Sequence, residues 1–321
     1  MGKYRKALPQ LSKKIFLTDS GLETHLIYDK SINLQDFAAF ELLRSSRGFY
    51  ELYEYFASHA ELARRYGMGF ILESPTWRAN PDWGEKLGYS RKDLDHFNEQ
   101  AIHLLEQVRG EYEGYDSPMV ISGCLGPRED GYAANNYMSE SEAANYHSQQ
   151  IESFSHTNVD CITALTLTYP EEAIGIADAA REYSMPAVIS FTVETDGRLP
   201  SGYSLKQAID EVDAATDNYP AYYMINCAHP SHFREALESH EVWAHRIKGL
   251  RANASEKSHQ ELDCLHCLDR GDPQALGKAY QGILGEYKDM NILGGCCGTD
   301  LEHIEAICRH CVSRFGKKKA A

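Results

Sequence analysis

Basic residues are scarce in this 321-residue chain: 32 Lys and Arg stand against 47 Asp and Glu, a net charge of −15 with histidine neutral. A surface of that sign repels phosphate backbones and anionic lipid, so nucleic acid and membranes are excluded as expected partners. Also missing is any apolar run near the roughly 20 residues that a membrane span needs. The start, Met1-Gly2-Lys3-Tyr4-Arg5-Lys6, is not followed by the apolar core of a signal peptide. The expectation is a cytoplasmic protein. No Pro/Gly/Ser-rich linker or low-complexity stretch divides the sequence, which therefore reads as a single domain over 1–321, with 316–321 a disordered basic tail around Lys317-Lys318-Lys319. What is present is ordinary for a globular protein, 43% hydrophobic and 25% charged, and excludes a disordered or fibrous chain. The nine cysteines form an odd set without an export signal, which argues against a disulfide framework and for reduced thiols.

Eight short apolar runs recur along the chain: Ile15 to Thr18, Phe70 to Glu73, Met119 to Gly123, Cys161 to Leu165, Ala187 to Thr192, Ala221 to Asn226, Ile247 to Ala252 and Asn291 to Gly294. Most are nearly continuous rather than alternating, as in parallel strands buried on both faces. Helix signals lie between them. Ser139-x-x-Glu142, Ser204-x-x-Gln207 and Thr299-x-x-Glu302 have capping-box spacing, Asp272-Pro273 sets a cap before a proline, and apolar residues recur at helical spacing from Phe49 to Tyr66. Eight strands alternating with helices predict an α/β fold, a single (β/α)8 TIM barrel, ahead of an open doubly wound sheet. Active sites in such barrels sit at the carboxyl ends of the strands.

After the eighth run stands Gly294-Gly295-Cys296-Cys297-Gly298-Thr299-Asp300, and after the sixth Asn226-Cys227-Ala228-His229-Pro230. Adjacent thiols do not readily bond to each other, while flanking glycines let both sulfurs turn toward one centre. A free cysteine by itself is usually a buried small hydrophobe. Three of them, at two strand ends on one face, suit instead a Zn2+ ion with three protein ligands and an open fourth position. The helix beginning near Asp300 aims its positive end at the same mouth, favouring thiolates.

These strings resemble those of the zinc-dependent homocysteine S-methyltransferase family, and the resemblance runs over nearly the whole chain. It includes Leu17-Thr18-Asp19-Ser20-Gly21-Leu22-Glu23-Thr24 where the family has an Asp-Gly-Gly turn, Gly123-Cys124-Leu125-Gly126-Pro127, Tyr146-His147 and Ser190-Phe191-Thr192. The resemblance implies that Cys227, Cys296 and Cys297 are catalytic zinc ligands. It also implies that Asp19, with the backbone amides of Ser20 and Gly21, holds the amino-acid end of homocysteine, with Glu23, Thr166 and Asn226 as further substrate contacts. The implied reaction moves a methyl group from an onium donor, of the S-methylmethionine or betaine type, to a zinc-bound thiolate, giving methionine from homocysteine. With no cobalamin module expected after the final helix, a simple onium is the expected donor.

The chain departs from the family pattern in three places. The family's Glu-Thr at the fourth strand, whose glutamate grips the substrate ammonium, stands here as Leu165-Thr166; the Asp-Gly-Gly turn is Asp19-Ser20-Gly21; and a Tyr-Pro-Asn-Ser-Gly segment appears as Arg251-Ala252-Asn253-Ala254-Ser255. Leucine cannot pair with an ammonium. Either Asp19, Glu23, Glu73 or Glu194 takes over, or the acceptor is another thiol or a selenol. Trp77, Tyr132 and Tyr169 follow strands two to four, where aromatic faces would enclose a methyl-bearing cation or simply pack loops. Two CxxC pairs, Cys264/Cys267 and Cys308/Cys311, fall in helical patterns and read either as helix packing or, in a non-catalytic alternative, as a structural zinc or redox site. His229, His232, His266, His303 and His310 read as satisfied or solvated side chains rather than ligands.

Overall fold

The computed structural model describes residues 1–132, 135–237, 241–265 and 267–311; the expected tail at 316–321 and His266 lie outside them. Eight strands run β1 (Phe16–Leu17), β2 (Gly69–Glu73), β3 (Met119–Leu125), β4 (Cys161–Leu167), β5 (Ala187–Phe191), β6 (Tyr222–Asn226), β7 (Ile247–Ala252) and β8 (Ile292–Gly295). Each pairs in parallel with the next, and β1 pairs with β8 in the register Phe16↔Ile292, closing the barrel. The α/β TIM barrel expected from eight apolar runs is therefore the fold, and the open sheet is excluded.

The connecting helices are α1 (Leu22–Thr24), α2 (Ser46–Tyr66), α3 (Pro81–Leu87), α4 (Arg91–Tyr112), α5 (Glu140–Ser155), α6 (Pro170–Glu182), α7 (Leu205–Ala215), α8 (Pro230–Leu237), α9 (His259–Asp263), α10 (Pro273–Glu286) and α11 (Leu301–Cys311). The boxes at Ser139/Glu142 and Ser204/Gln207 form, and Asp272 caps α10 through the amides of Gln274 and Ala275. The third expected box does not form. Thr299 Oγ1 donates instead to Cys296 O at 2.7 Å, and Asp300 Oδ1 caps α11 by accepting from Glu302 N and His303 N at 3.0 and 3.2 Å. The left-handed turn at Gly298 (φ +78°) folds Thr299 back onto the preceding carbonyl. No helix among the described residues is long and apolar enough to cross a membrane.

Side chains alternate in and out along each strand, and the lumen shows the consequence in layers. Its floor is Phe16, Ile71, Val120, Cys161, Val188, Tyr222 and Ile292, with Leu8 of the leading segment packed on it. Two residues further along the strands come Thr18, Glu73, Ser122, Thr163, Ser190 and Arg251, all buried. The lumen is thus apolar at its base and polar just below its mouth. Asn291 ties the leading segment down by donating from Nδ2 to the carbonyls of Gln10, Ser12 and Lys14. A larger apolar layer fills the space between strands and helices.

Candidate active site

The carboxyl ends of the strands open into a cavity of about 290 Å³. Every residue singled out from sequence for substrate contact lines it: Asp19, Ser20, Gly21, Glu23, Thr166 and Asn226, together with Cys227, Cys296 and Cys297. Cys227 follows β6 in a left-handed conformation (φ +54°), uncommon for a non-glycine residue, and Thr166 in β4 does the same (φ +65°) beside a register shift between Ala164 and Leu167. Such strain persists only where surrounding bonds over-determine it. Here Asn226 Nδ2 donates to Thr166 Oγ1 at 2.8 Å, Thr166 N donates to Asn226 Oδ1 at 2.9 Å, and Asn253 Nδ2 donates to Cys227 O at 3.0 Å. Cys296 is pinned through its amide to Ala252 O at 2.8 Å.

The three sulfurs converge within 4.8 Å of one another, the only such group of potential metal ligands among the described residues. Sulfurs sharing one zinc stand about 3.8 Å apart, so the trio fits that ion, and an all-thiolate set favours it over harder metals. The sulfurs of Cys227 and Cys296 stand in direct contact, and the remaining seven cysteines are free. Disulfide and metal compete for the same sulfurs, since ligands must be thiolates. Burial pushes the Cys297 thiol up to about 11 in the absence of a cation, and Tyr132 OH lies 3.8 Å from its sulfur.

Around the cluster, His259 of α9 bonds through Nε2 to Cys227 O at 2.6 Å and through Nδ1 to Glu194 Oε1 at 3.1 Å, its ring 4.0 Å from that of Tyr132. Glu194 is thereby engaged outside the cavity wall. Trp77 lines the cavity with Tyr132, whereas Tyr169 does not, and its hydroxyl accepts from Met138 N at 3.1 Å. Arg78, unremarked in the sequence, enters the wall with its guanidinium between the rings of Trp77 and Trp83, 3.9 and 3.8 Å from their centroids.

Two expected substrate contacts are already engaged. Asp19 Oδ1 pairs with Arg251 Nη2 at 2.7 Å and its Oδ2 accepts from Tyr55 OH at 3.2 Å; Gly21 N donates to Thr299 O at 3.3 Å. Burial raises the carboxyls of Glu23 and Glu73 to about 7. Although burial opposes its charge, the carboxylates of Asp19 and Glu73 hold the Arg251 guanidinium above its ordinary value. The signal for Arg251 was available: an arginine within an apolar run, two residues from the inward Gly249.

The CxxC pairs do not meet the site as a metal set. Cys308 and Cys311 are buried in α11, Cys308 facing Met68, as packing residues. Cys264 and Cys267 are exposed just beyond α9, which ends at Asp263, so the helical pattern expected there is not formed. His303 is satisfied by Asp300 and Arg270 O, and His232 by Glu256 O.

Residues 16–311 match the family model described as homocysteine S-methyltransferase. No curated protein sequence matches the chain. Among solved structures it is similar to the homocysteine methyltransferase MmuM from Escherichia coli. The metallated form aligns with a TM-score of 0.73 at 16% identity over 95% of this chain and 98% of that one, and the oxidized form with 0.71 at 18% over 94% and 97%. At that identity the likeness speaks for the fold.

Proposed function

The chain belongs to the homocysteine S-methyltransferase family, and we propose that it moves a methyl group from an onium donor to homocysteine held at a zinc centre of Cys227, Cys296 and Cys297. The observation that carries this reading is the convergence of those three sulfurs, from β6 and β8, at the mouth of the cavity. Zinc, when bound, would keep an incoming thiol ionised at neutral pH, where a free thiol with a pKa near 8.5 is mostly protonated.

In-line attack by the acceptor sulfur on the donor methyl forms the new S–C bond. The donor C–S or C–N bond breaks, and its electron pair leaves with the neutral sulfide or amine. Ligation to zinc would release the thiol proton to solvent before attack, so that no general base among the chain's residues would be required. The chain's own groups hold the geometry. Tyr132 OH is placed to donate to Cys297 Sγ, His259 and Asn253 fix the Cys227 carbonyl, and the Trp77 and Tyr132 faces offer cation–π contact to a methyl-bearing cation. Residues 1–321 would act as one barrel domain.

The test uses reduced protein supplied with zinc, homocysteine and either S-methylmethionine or betaine. Methionine should form, and Cys296→Ala should lose both bound zinc and turnover, whereas Cys264→Ala/Cys267→Ala should keep both. The opposite pattern, with metal held by Cys264 and Cys267, would establish the catalytically silent zinc or redox protein instead. Apolar Leu165 in the cavity wall favours one further reading, a different thiol or selenol acceptor; ordinary homocysteine turnover would eliminate it.

A further inference from the structure

Among the charged side chains with open valences in the cavity wall are Glu73 and Arg251 of the polar layer at its base. Glu73, at the end of β2, is 4% exposed and lines the cavity, and neither of its carboxylate oxygens makes a hydrogen bond of good geometry, the Ser122 and Thr163 hydroxyls being its polar neighbours. The hydroxyls of Ser122 and Thr163, next to it across the sheet, are bonded to each other at 2.7 Å, leaving at most one proton for both oxygens. Arg251, in β7, is equally buried. Its Nη2 pairs with Asp19 and contacts Ser20 O at 3.4 Å, its Nε donates to Gly295 O at 3.3 Å, and its Nη1 has no partner. No ion pair within 4.0 Å joins Glu73 to Arg251. Buried charged atoms without partners are costly, and where two of opposite sign face one cavity a ligand is the natural source of the missing bonds.

Charge arithmetic selects the ligand. Asp19, Glu73 and Arg251 together carry one net negative charge when ionised. A plain carboxylate would add a second to a buried site, and a plain amine would leave Arg251 Nη1 open. A group bearing both charges adds none and answers both valences. We propose that Glu73 receives the ammonium and Arg251 Nη1 the carboxylate of an α-amino-acid thiol whose sulfur reaches the cysteine cluster. Asp19 then acts as the positioning residue that aims Arg251, its Oδ1 held in an ion pair with Arg251 Nη2 and its Oδ2 accepting from Tyr55 OH. This rests on the methyl-transfer reading above and names the residues that replace the glutamate absent at Leu165.

Three acceptors of equal reach separate the contributions: homocysteine, 4-mercaptobutyrate, which lacks the ammonium, and 3-mercaptopropylamine, which lacks the carboxylate. For the reduced, zinc-loaded chain, kcat/KM with S-methylmethionine and donor-free calorimetric Kd values should both favour homocysteine over each analogue by about tenfold or more, the scale of a charge-assisted bond. Glu73→Gln should erase the preference over 4-mercaptobutyrate and keep the other. Arg251→Met should erase the preference over 3-mercaptopropylamine and keep the other, with Arg251→Lys restoring part of it. Because each preference is a ratio within one variant, a smaller folded fraction cancels. Homocysteine turnover with unchanged ratios in both variants, or a wild type indifferent among the three thiols, would overturn the assignment and leave methyl transfer standing. Absence of turnover and of binding for all three would remove both.

Discussion

Glu73 titrates near 7 in the folded protein against 4.5 for an unperturbed glutamate, because burial disfavours its charge. Between those values the folded state holds a proton the unfolded state has lost, so stability is greatest below pH 4.5 and declines as pH rises toward 7. Glu23 works in the same direction over the same window. Glu73→Gln should therefore gain stability over the wild type by up to about 3 kcal/mol at pH 8, taking roughly 1.4 kcal/mol per pKa unit, and nothing at pH 4. Urea titrations of both proteins at the two pH values measure it, and parallel curves would show that Glu73 is already charged and satisfied. At this scale the convergence of Cys227, Cys296 and Cys297 was legible from sequence, since each follows a strand at the same end of the barrel. The pairing of Asp19 with Arg251 was not, because the residues stand on opposite ends of the chain and nothing local in either declares the other.

Between β7 and β8, Tyr280 of α10 acts as a clamp. Its hydroxyl accepts from Ala252 N at 2.9 Å and donates to Gly294 O at 2.6 Å, joining the strand ends that precede Asn253 and Cys296. Tyr280→Phe strands a buried amide and carbonyl, so it should cost about 1–3 kcal/mol and lower zinc affinity by loosening the spacing of Cys227 and Cys296. Denaturant unfolding and a zinc competition assay check the two effects; a stable variant with unchanged metal affinity would show that the strand ends hold without the clamp. Element by element, the capping boxes of Ser139 and Ser204 were readable because their partners lie three residues away. The expected box at Thr299 failed because its hydroxyl answers a tertiary demand, the Cys296 carbonyl brought back by the turn at Gly298. The Cys264/Cys267 segment likewise keeps helical spacing without helical structure, α9 stopping at Asp263.

For the whole molecule, the relation among fold, redox state and metal is one of linkage. A disulfide between Cys227 and Cys296, whose sulfurs are in contact, would withhold two of the three sulfurs proposed to hold zinc, and reduction would return them. Thermal unfolding should thus respond to zinc only in reductant, with about 2.7 kcal/mol of added stability when free metal stands at a hundred times its Kd. An equal rise in oxidised protein would place the metal elsewhere.

The sequence by itself determined the barrel, because eight apolar runs at helix-length spacing admit few closed arrangements of parallel strands, and it determined the end at which three sulfurs gather, because Cys227, Cys296 and Cys297 follow strands rather than precede them. Only the tertiary structure decided how the charged residues are shared out. Barrel closure sets β1, β2 and β7 around one lumen, so that Asp19 is spent on Arg251 while Glu73 and one guanidinium nitrogen are left open. Proximity across a closed sheet depends on strand register and alternation around the whole ring, and no single segment of chain contains that information.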